Sequence, residues 1–298
     1  MEKKRVIALG FFDGVHLGHA ALLNMANQRA KELECTTAVI TFDTHPSKLV
    51  SDTPVPLINS SVGRVDIIER LFSIDDVIIL HFDEEMRTML WSDFAMVLYK
   101  DFGAVHLIMG HDFRFGYRGE GTPEKLKVKC EEIGVGCEIM PEVKQNGVAI
   151  SSTYIRELIS HGDMESANEL LGHPHTLVDT VRYGYKLGRT IGAPTINMIF
   201  PEGVLIPAYG VYATMVFIGK SAHMAVTNIG VRPTVSGSDE ATVESFILDY
   251  NGDLYGRQVR VEFHKFLRPE KKFADIDALK AQIHCDASTT REYFSKLK

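Results

Sequence analysis

Two histidines three residues apart, His16 and His19, lie in the segment GFFDGVHLGH, the first part of the chain whose residue types could do chemistry. Residues three apart on a helical turn share a face, so both imidazoles can reach one phosphate group. Glycines permit close approach of backbone and ligand, and a helix N-terminus offers free N–H groups to an anion. A metal site of the HxxH type is the alternative, although no third ligand is evident nearby. The pattern favours a phosphate site whose further members are Gly10, Phe11, Asp13 and Gly14.

A second polar segment, ISSTYIR, opens a later helix-period stretch. Ser152 and Thr153 offer hydroxyls, the start of a helix offers N–H groups, and Arg156 offers a guanidinium to the same kind of anion. A simple N-cap would explain one serine but leaves Arg156 unexplained. Together the two segments predict nucleotide binding, although the G-x-G-x-x-G dinucleotide fingerprint is absent.

A third candidate site lies in the segment LGRTIGAPTIN of the second half. Thr195 and Asn197, two apart in a strand-like run, face the same side and can share a metal or a phosphate. They follow a Gly-containing loop that includes Gly188 and Arg189. An ordinary turn is the alternative for this stretch, because Gly and Pro commonly mark loops.

Glu244 is the fourth candidate, because it stands in an otherwise apolar strand-like run. A carboxylate in such a place costs free energy unless it has a partner or a catalytic task. The alternative to a catalytic role is a structural ion pair with an arginine such as Arg260.

The first half must position its site residues on a parallel sheet, because short apolar runs alternate there with helix-period segments. The predicted strands are Val6–Gly10, Thr37–Phe42, Val77–Phe82, Val105–Gly110 and Val135–Met140. Two buried helix faces are predicted, one with Leu22, Leu23, Ala26, Ala30 and Leu33 and one with Val62, Val65, Ile68 and Leu71. This is the pattern of a doubly wound α/β domain, in which ligands bind beyond the carboxyl ends of the strands.

The alternation of strands and helices ends near residues 172–175, so we predict two domains, 1–172 and 173–298. Successive strands separated by Gly-containing turns predict an antiparallel sheet or closed barrel in the second domain. A late helix, Ile276–Leu297, is expected to pack outside it. The predicted strands are Thr176–Arg182, Thr195–Phe200, Gly210–Phe217, His223–Asn228, Val243–Tyr250 and Gln258–Phe266.

Composition excludes several classes of protein. A chain of 298 residues favours two domains, each large enough for its own core. With 32 basic and 39 acidic residues the net charge is −7, which argues against nucleic acid as a partner. The absence of a long apolar window and of a leader-like N-terminus predicts a cytoplasmic protein without a membrane partner. Four scattered cysteines predict free thiols in a reducing compartment.

The motifs resemble those of one known family. GFFDGVHLGH and ISSTYIR are similar to the HxGH and ISSTxxR signatures of the HxGH nucleotidyltransferase superfamily. FDTHP resembles a family F-x-P-H-P segment, with Thr44 where Pro is usual, and GHDFRFG resembles its flavin-side loop. The segments GRTIGAPTIN, NIGVRPT, TVESFILD, GDLYG and FLRPEKKF then follow in the order found in riboflavin kinases. Over nearly its whole length the chain resembles the prokaryotic bifunctional riboflavin kinase/FAD synthetase family.

The resemblance implies an α/β plus all-β fold and two reactions. An N-terminal Rossmann-like, doubly wound nucleotidyltransferase domain would adenylylate FMN with ATP to give FAD and pyrophosphate. An antiparallel β-barrel riboflavin kinase domain with a C-terminal helix would phosphorylate riboflavin to FMN with ATP. Both halves would use Mg²⁺, and their partners would be small-molecule substrates.

For the N-terminal site, the resemblance implies that His16, His19 and Arg156 stabilise the charge that develops during adenylyl transfer. Ser152 and Thr153 would hold phosphate oxygens. The flavin-binding residues carried over from the family are His45, Asp112 and Phe113.

For the C-terminal site, the resemblance implies that Glu244 is the general base that takes the proton of the riboflavin 5′-hydroxyl. Thr195 and Asn197 would bind Mg²⁺, and Gly188 and Arg189 would contact ATP. Arg291, on the last helix, would approach the flavin.

Two departures from the family pattern leave alternatives open. Ala193 replaces the aromatic residue usual before Pro-Thr, and Asp179 stands where Gly commonly begins the barrel. Either could weaken the kinase step, so the main alternative is a monofunctional FMN adenylyltransferase with a flavin-binding but kinase-inactive barrel. A flavin-sensing protein without turnover and a nucleotidyltransferase for another phosphate substrate are further alternatives. A weak homo-oligomer is also expected.

Overall fold

The computed structural model describes residues 3–45, 47–50, 53–184, 193–233 and 239–297. The chain divides into two compact units, Met1–Ser152 and Thr153–Lys298. The predicted boundary between residues 172 and 173 lies beyond this division and remains a prediction.

The first unit is built on a five-stranded parallel sheet with the order β3-β2-β1-β4-β5. Its strands are β1 (Arg5–Leu9), β2 (Thr36–Phe42), β3 (Asp76–Leu80), β4 (Ala104–Gly110) and β5 (Gly136–Met140). Its helices are α1 (Leu17–Glu32), α2 (Ser47–Val50), α3 (Ser61–Leu71), α4 (Glu84–Thr88), α5 (Trp91–Lys100) and α6 (Pro123–Ile133). A short hairpin of β6 (Lys144–Gln145) and β7 (Val148–Ala149) follows. The strand order reverses at β1, which places a ligand crevice at the carboxyl ends of β1 and β4.

Both faces of this sheet are buried, which explains why β1 is an uninterrupted apolar run. Val6 and Ala8 pack into the cluster that contains the α1 side chains. Ile7 and Leu9 point to the opposite face and pack with residues of α5 and α6. Truncating such a core side chain to Ala costs about 2–5 kcal/mol, so the sheet is a firm base for the loops at its edge.

The predicted helix faces are correct in part. On α1, Leu22, Leu23, Ala26 and Ala30 are buried, whereas Leu33 lies at the C-cap and is exposed. The prediction for α3 is wrong in its orientation: Ile68 is buried, but Val62 and Leu71 are exposed. The face that α3 turns to the core instead contains Gly63, Arg64, Ile67 and Ile68. The apolar spacing could not reveal this, because a charged residue occupies the centre of the buried face.

The second unit contains a six-stranded antiparallel sheet with the order β8-β13-β10-β11-β12-β9. Its strands are β8 (His175–Thr180), β9 (Thr195–Ile199), β10 (Gly210–Ile218), β11 (Ser221–Pro233), β12 (Asp239–Ile247) and β13 (Gln258–Arg268). The two edge strands meet through one bridge, in which the N–H of Arg182 donates to the carbonyl of Asn197 at 2.8 Å. The sheet is thereby curled into a nearly closed barrel.

Asp179, one of the two departures from the family pattern, reinforces this seam. Its carboxylate accepts a hydrogen bond from the N–H of Ile199 at 3.1 Å and lies 3.6 Å from Nε of Arg182. The side chain therefore ties β8 to β9. Ala193, the other departure, is buried just before β9.

Among the described residues, the helices that follow the first sheet are α7 (Ser152–Ser160), α8 (Met164–Leu171) and α9 (Ile276–Ser295). Asn168 of α8 donates from its side chain to the carbonyl of Phe263 on β13, so α8 packs with the second unit. The late helix predicted from the sequence is α9. It is tied to β13 by a buried ion pair in which Arg268 donates to both carboxylate oxygens of Asp286. No helix in the described ranges is long and apolar enough to cross a membrane.

Candidate functional site

The loop after β1 has an unusual backbone. Phe12 and Val15, neither of them glycine, have positive φ angles of 58° and 45°, and Gly14 has a φ of 80°. Positive φ is costly for residues with a side chain, and such strain is concentrated at functional sites. The loop ends at His16, which caps the N-terminus of α1. This is the edge of the sheet where ligands of doubly wound folds bind.

His16 and His19 share this helix start, and their rings stack at a centroid distance of 3.7 Å. Nδ1 of His16 accepts a hydrogen bond from the backbone N–H of His19 at 3.3 Å. Burial lowers the pKa of His19 well below 6.5, and the positive charges of His16 and Arg64 lower it further. At neutral pH His19 is therefore an uncharged imidazole. The two rings lie together, as their spacing predicts, and their shared contact with a phosphate group stays a prediction.

Asp13 joins this loop to two distant parts of the chain. Its buried carboxylate accepts hydrogen bonds from the N–H groups of Ile58 and Asn59 at 2.9 and 3.3 Å. Its backbone carbonyl accepts a hydrogen bond from Oγ of Ser152 at 2.9 Å. The first residue of α7 thus contacts the loop after β1, as the pairing of the two sequence motifs predicts. The Asp13 carboxylate therefore fixes the loop after β1 through its hydrogen bonds with Ile58 and Asn59.

The predicted flavin residues lie at neighbouring strand ends. The His45 ring packs edge-on against Phe11 at a centroid distance of 4.7 Å, and its Nδ1 is 2.7 Å from Oγ of Ser47. Asp112 is exposed just after β4, close to Gly110. The ring of Phe113 stacks on Phe115 at 5.5 Å. Pro46 lies outside the described residues.

Phe113 also lines an apolar cavity of about 440 Å³, a size typical of small-molecule sites. Its apolar lining consists of Phe42, Phe82, Met86, Met89, Phe94, Phe113 and Phe115. Its charged lining consists of Arg87, Arg114 and Arg118. Phe113 is the one member of this lining among the predicted flavin-binding residues. The flavin-side loop motif covers the stretch from Phe113 to Gly116, whereas nothing in the sequence marks α4 as the source of Met86.

In the second unit, sheet register places three polar residues in one row. Glu244 of β12 pairs with Asn197 of β9 on one side and with Asn228 of β11 on the other. Oδ1 of Asn197 is buried and accepts no hydrogen bond in the part of the chain described. A buried carbonyl oxygen without a donor is costly and suits a cation.

A second carboxylate reaches this row. Nδ2 of Asn228 donates to Oε1 of Glu270 at 3.0 Å. A Cβ on Gly230 would lie 2.4 Å from the same oxygen, so a side chain there would require the Glu270 carboxylate to shift. Neither Asn228 nor Glu270 was a predicted site residue, because Asn228 meets Glu244 through strand register and Glu270 meets Asn228 from the segment after β13.

Thr195 borders a cavity of about 500 Å³ in the barrel unit. The lining comes from the start of β9 and from the loop after β12, and it includes Thr195, Tyr250, Gly252, Asp253 and Tyr255. Gly188 and Arg189 lie outside the described residues. Arg291 of α9 forms an ion pair with Asp249 at 3.0 Å, next to this loop.

A structural ion pair between Glu244 and Arg260 was the alternative to a catalytic role for Glu244. The order of the strands does not support this ion pair. Arg260 belongs to β13, which two strands separate from β12. Its guanidinium lies 3.3 Å from the carboxylate of Glu262 on its own strand.

Comparison with known proteins agrees with both halves of this architecture. The FAD synthetase family model matches residues 1–154, and the riboflavin kinase family model matches residues 171–294. A bifunctional riboflavin kinase/FMN adenylyltransferase of Listeria monocytogenes is 35% identical over 296 residues, which cover 99% of this chain and 94% of that protein. The protein of the same description from Bacillus subtilis is 34% identical over 305 residues, covering 100% and 95%.

A solved structure from Streptococcus pneumoniae, described as a macrolide-efflux protein, has a TM-score of 0.84 and 31% identity, and the match covers 98% of this chain and 95% of that one. The fold and the sites define a two-unit transferase, with a nucleotidyltransferase-type α/β unit and a kinase-type barrel. The chain belongs to the bifunctional riboflavin kinase/FMN adenylyltransferase family. The family and the fold class predicted from the sequence are confirmed.

Proposed function

We propose that this chain phosphorylates riboflavin to FMN in its barrel and adenylylates FMN to FAD in its α/β unit. The observation that carries the proposal is that each family-matched half contains its own cavity, one lined by Phe113 of the flavin-side loop motif and one bordered by Thr195. In the first reaction the riboflavin 5′-oxygen attacks the γ-phosphorus of ATP, and ADP leaves. In the second reaction an FMN phosphate oxygen attacks the α-phosphorus of ATP, and pyrophosphate leaves.

In the α/β unit, the cavity lined by Phe113 takes the flavin ring of FMN, because its aromatic and Met walls match a flat apolar ring system. The arginines at its border attract the FMN phosphate. His16 and His19, at the strained loop, donate to oxygens of the ATP phosphates and stabilise the charge of the transition state. The N–H groups at the start of α7, with Ser152 and Thr153, bind further phosphate oxygens.

Arg156, one turn into α7, supplies a fixed positive charge in the same proposal. Gly10, Phe11 and Gly14 let the nucleotide approach the backbone, and Asp13 keeps that loop in its strained form. His45 and Asp112 lie where the flavin phosphate and the nucleotide would meet.

In the barrel unit, Glu244 accepts the proton of the riboflavin 5′-hydroxyl as that oxygen attacks. Asn228, the cross-strand partner of Glu244, and Glu270, which accepts a hydrogen bond from Asn228, orient the ribityl chain through hydrogen bonds. The cavity bordered by Thr195 takes ATP. Gly188 and Arg189 keep their predicted place at the ATP phosphates, and Arg291 keeps its place near the flavin.

Mg²⁺ is part of the proposal, and the residues fit it. Oδ1 of Asn197 is a buried oxygen without a donor, the hydroxyl of Thr195 lies two residues away on the same face, and hard oxygen ligands are those that Mg²⁺ prefers. Bound there, the ion would neutralise charge on the ATP phosphates.

The proposal is tested by incubating the purified chain with ATP and Mg²⁺, first with riboflavin and then with FMN, and separating the flavins by chromatography. Conversion of riboflavin to FMN and then FAD is the expected result. FAD from supplied FMN alone would favour the monofunctional adenylyltransferase with a kinase-inactive barrel. Flavin binding without any product would favour a binding protein, and adenylylation of other phosphates but not FMN would favour a different nucleotidyltransferase.

The expected setting of the reactions belongs to the proposal as well. We propose a cytoplasmic enzyme that acts on small molecules, binds no nucleic acid and forms at most a weak homo-oligomer. The net charge of −7 and four free cysteines support these expectations. Size-exclusion chromatography with and without the substrates tests the oligomer.

A further inference from the structure

A charged residue lies in the core of the α/β unit. Arg64, on α3, has a relative exposure of 0% and is the largest fully buried side chain in the described part of the chain. One guanidinium nitrogen, Nη2, donates to the carbonyl of Phe42 at the end of β2. The other two nitrogens, Nε and Nη1, have no acceptor among the residues that the structure describes.

Within the described ranges, Arg64 makes no direct ion pair with a carboxylate. Burial lowers its pKa to about 10, against the attraction of Asp13 and Asp43, so the group stays charged at neutral pH. The carboxylates of Asp13 and Asp43 accept hydrogen bonds from other groups. Asp13 accepts from the N–H of Ile58, and Asp43 accepts from the N–H of Phe82 and pairs with His81. A buried charge with hydrogen bonds unmade is expensive, and such a cost is usually kept for a functional reason.

Arg64 lies directly behind the loop that carries the two histidines. The carbon of its guanidinium is 4.3 Å from the centre of the Phe11 ring. Its positive charge also lowers the pKa of His19, which helps to keep the imidazole neutral. The guanidinium therefore contacts the ends of β1 and β2, the edge where the proposed adenylyl transfer takes place.

We propose that Arg64 is a positioning residue for adenylyl transfer: it holds the loop through Phe11 and Phe42 and adds a buried positive charge that attracts phosphate oxygens. The inference rests on the proposed function of the α/β unit. The oxygens could belong to ATP or to FMN, since both substrates carry phosphate at this step. A desolvated charge acts strongly on a nearby anion, because little water screens it.

If Arg64 had a purely structural role, its substitution would lower the melting temperature and the rate of FAD formation together. Replacing a buried, incompletely bonded charge by an apolar side chain of similar length is often neutral or stabilising. Arg64→Met should therefore leave the melting temperature close to that of the wild type while impairing FAD formation. Arg64→Lys keeps the charge and loses the planar fork, so it should keep more activity than Arg64→Met.

The test uses the full chain with the variants Arg64→Met and Arg64→Lys and the control Arg70→Met, an exposed arginine of the same helix that pairs with Asp66. Steady-state FAD formation is measured with ATP and FMN varied in turn. Riboflavin phosphorylation by the barrel of the same molecules is the internal control. Melting temperatures are recorded for all four proteins.

The expected result is a loss of at least about 10-fold in kcat/KM for FAD formation in Arg64→Met, with a smaller loss in Arg64→Lys. A rise confined to the KM for ATP would assign the phosphate oxygens to the nucleotide, and one confined to the KM for FMN would assign them to the flavin. Riboflavin phosphorylation by both Arg64 variants should equal that of the wild type. FAD formation by the Arg70→Met variant should also equal that of the wild type.

Two results would overturn the inference. One is Arg64→Met with wild-type kinetics for both substrates. The other is an equal loss in Met and Lys variants that follows a fall in melting temperature, as a structural role requires. Failure of the wild-type chain to make FAD from FMN would instead overturn the proposed function, so the two failures are distinguishable.

Discussion

Glu244 and Asn197 are direct cross-strand partners on β12 and β9, beside the seam of the barrel. The pairing sets a carboxylate next to a buried amide oxygen that has no donor among the described residues. A base and a cation ligand placed side by side can serve the attacking hydroxyl and the phosphate of one reaction.

The Glu244→Gln variant should lose riboflavin phosphorylation by about 10²- to 10⁴-fold, because an amide cannot accept the hydroxyl proton. FAD formation from supplied FMN should be unchanged. Both are measured by chromatography of the flavin products. The matched control is Glu262→Gln, which removes a buried carboxylate of the same barrel that pairs with Arg260. Retention of kinase activity by Glu244→Gln would contradict the assignment of the base.

The apolar patterns predicted the fold well because burial dictates them. Strands β1 to β5 lie within two residues of their predicted bounds, since a sheet covered on both faces needs uninterrupted apolar runs. The α3 face was predicted wrongly because Arg64 is buried there, and no periodicity rule assigns an arginine to a core.

From spacing alone, contacts in the candidate sites were predictable only between residues close in sequence, whereas the contact of Ser152 with Asp13 was expected because both motifs offer groups to an anion. Thr195 and Asn197 are two apart on one strand, and the stacked pair His16 and His19 is three apart. The contact between Asn228 and Glu270 spans 42 positions and joins β11 to the segment after β13, which no local pattern contains.

The neutral state of His19 predicts which substitutions FAD formation tolerates. Since burial, His16 and Arg64 lower its pKa, the imidazole donates as an uncharged group at pH 7. His19→Gln, whose amide N–H is also neutral, should retain more activity than His19→Lys, which would introduce a second charge beside Arg64. The rate of FAD formation at pH 6, 7 and 8 is the measurement. A wild-type activity that rises as pH falls toward 6 through protonation of His19 would contradict the prediction.

The apolar cavity of the α/β unit predicts a selective effect on FMN. Phe113→Ala removes a ring that stacks on Phe115 and lines the cavity, so the KM for FMN should rise about 10-fold or more. The KM for ATP should change little. Val128→Ala, on an exposed part of α6, is the control. An equal rise of both KM values in Phe113→Ala would show that the cavity is not specific to the flavin.

His175 predicts how the barrel responds to acid. The side chain is buried beside Phe263, and neither ring nitrogen has a partner in the described ranges. Burial, and then His173, lower its pKa from 6.5 to about 3. The unfolded chain therefore binds a proton between these values that the folded chain does not, so stability is complete above pH 6.5 and falls as the pH drops below it.

Between pH 7 and pH 4.5 this group should cost the barrel about 2–3 kcal/mol of unfolding free energy. The variant His175→Leu removes the titrating group and should flatten that part of the pH dependence, while His284→Asn, at an exposed position of α9, should not. Hydrogen exchange of β8 and β13 in the full chain measures the effect, because the single tryptophan, Trp91, lies in the other unit. An unchanged acid response in His175→Leu would mean that other groups carry the acid sensitivity of the barrel.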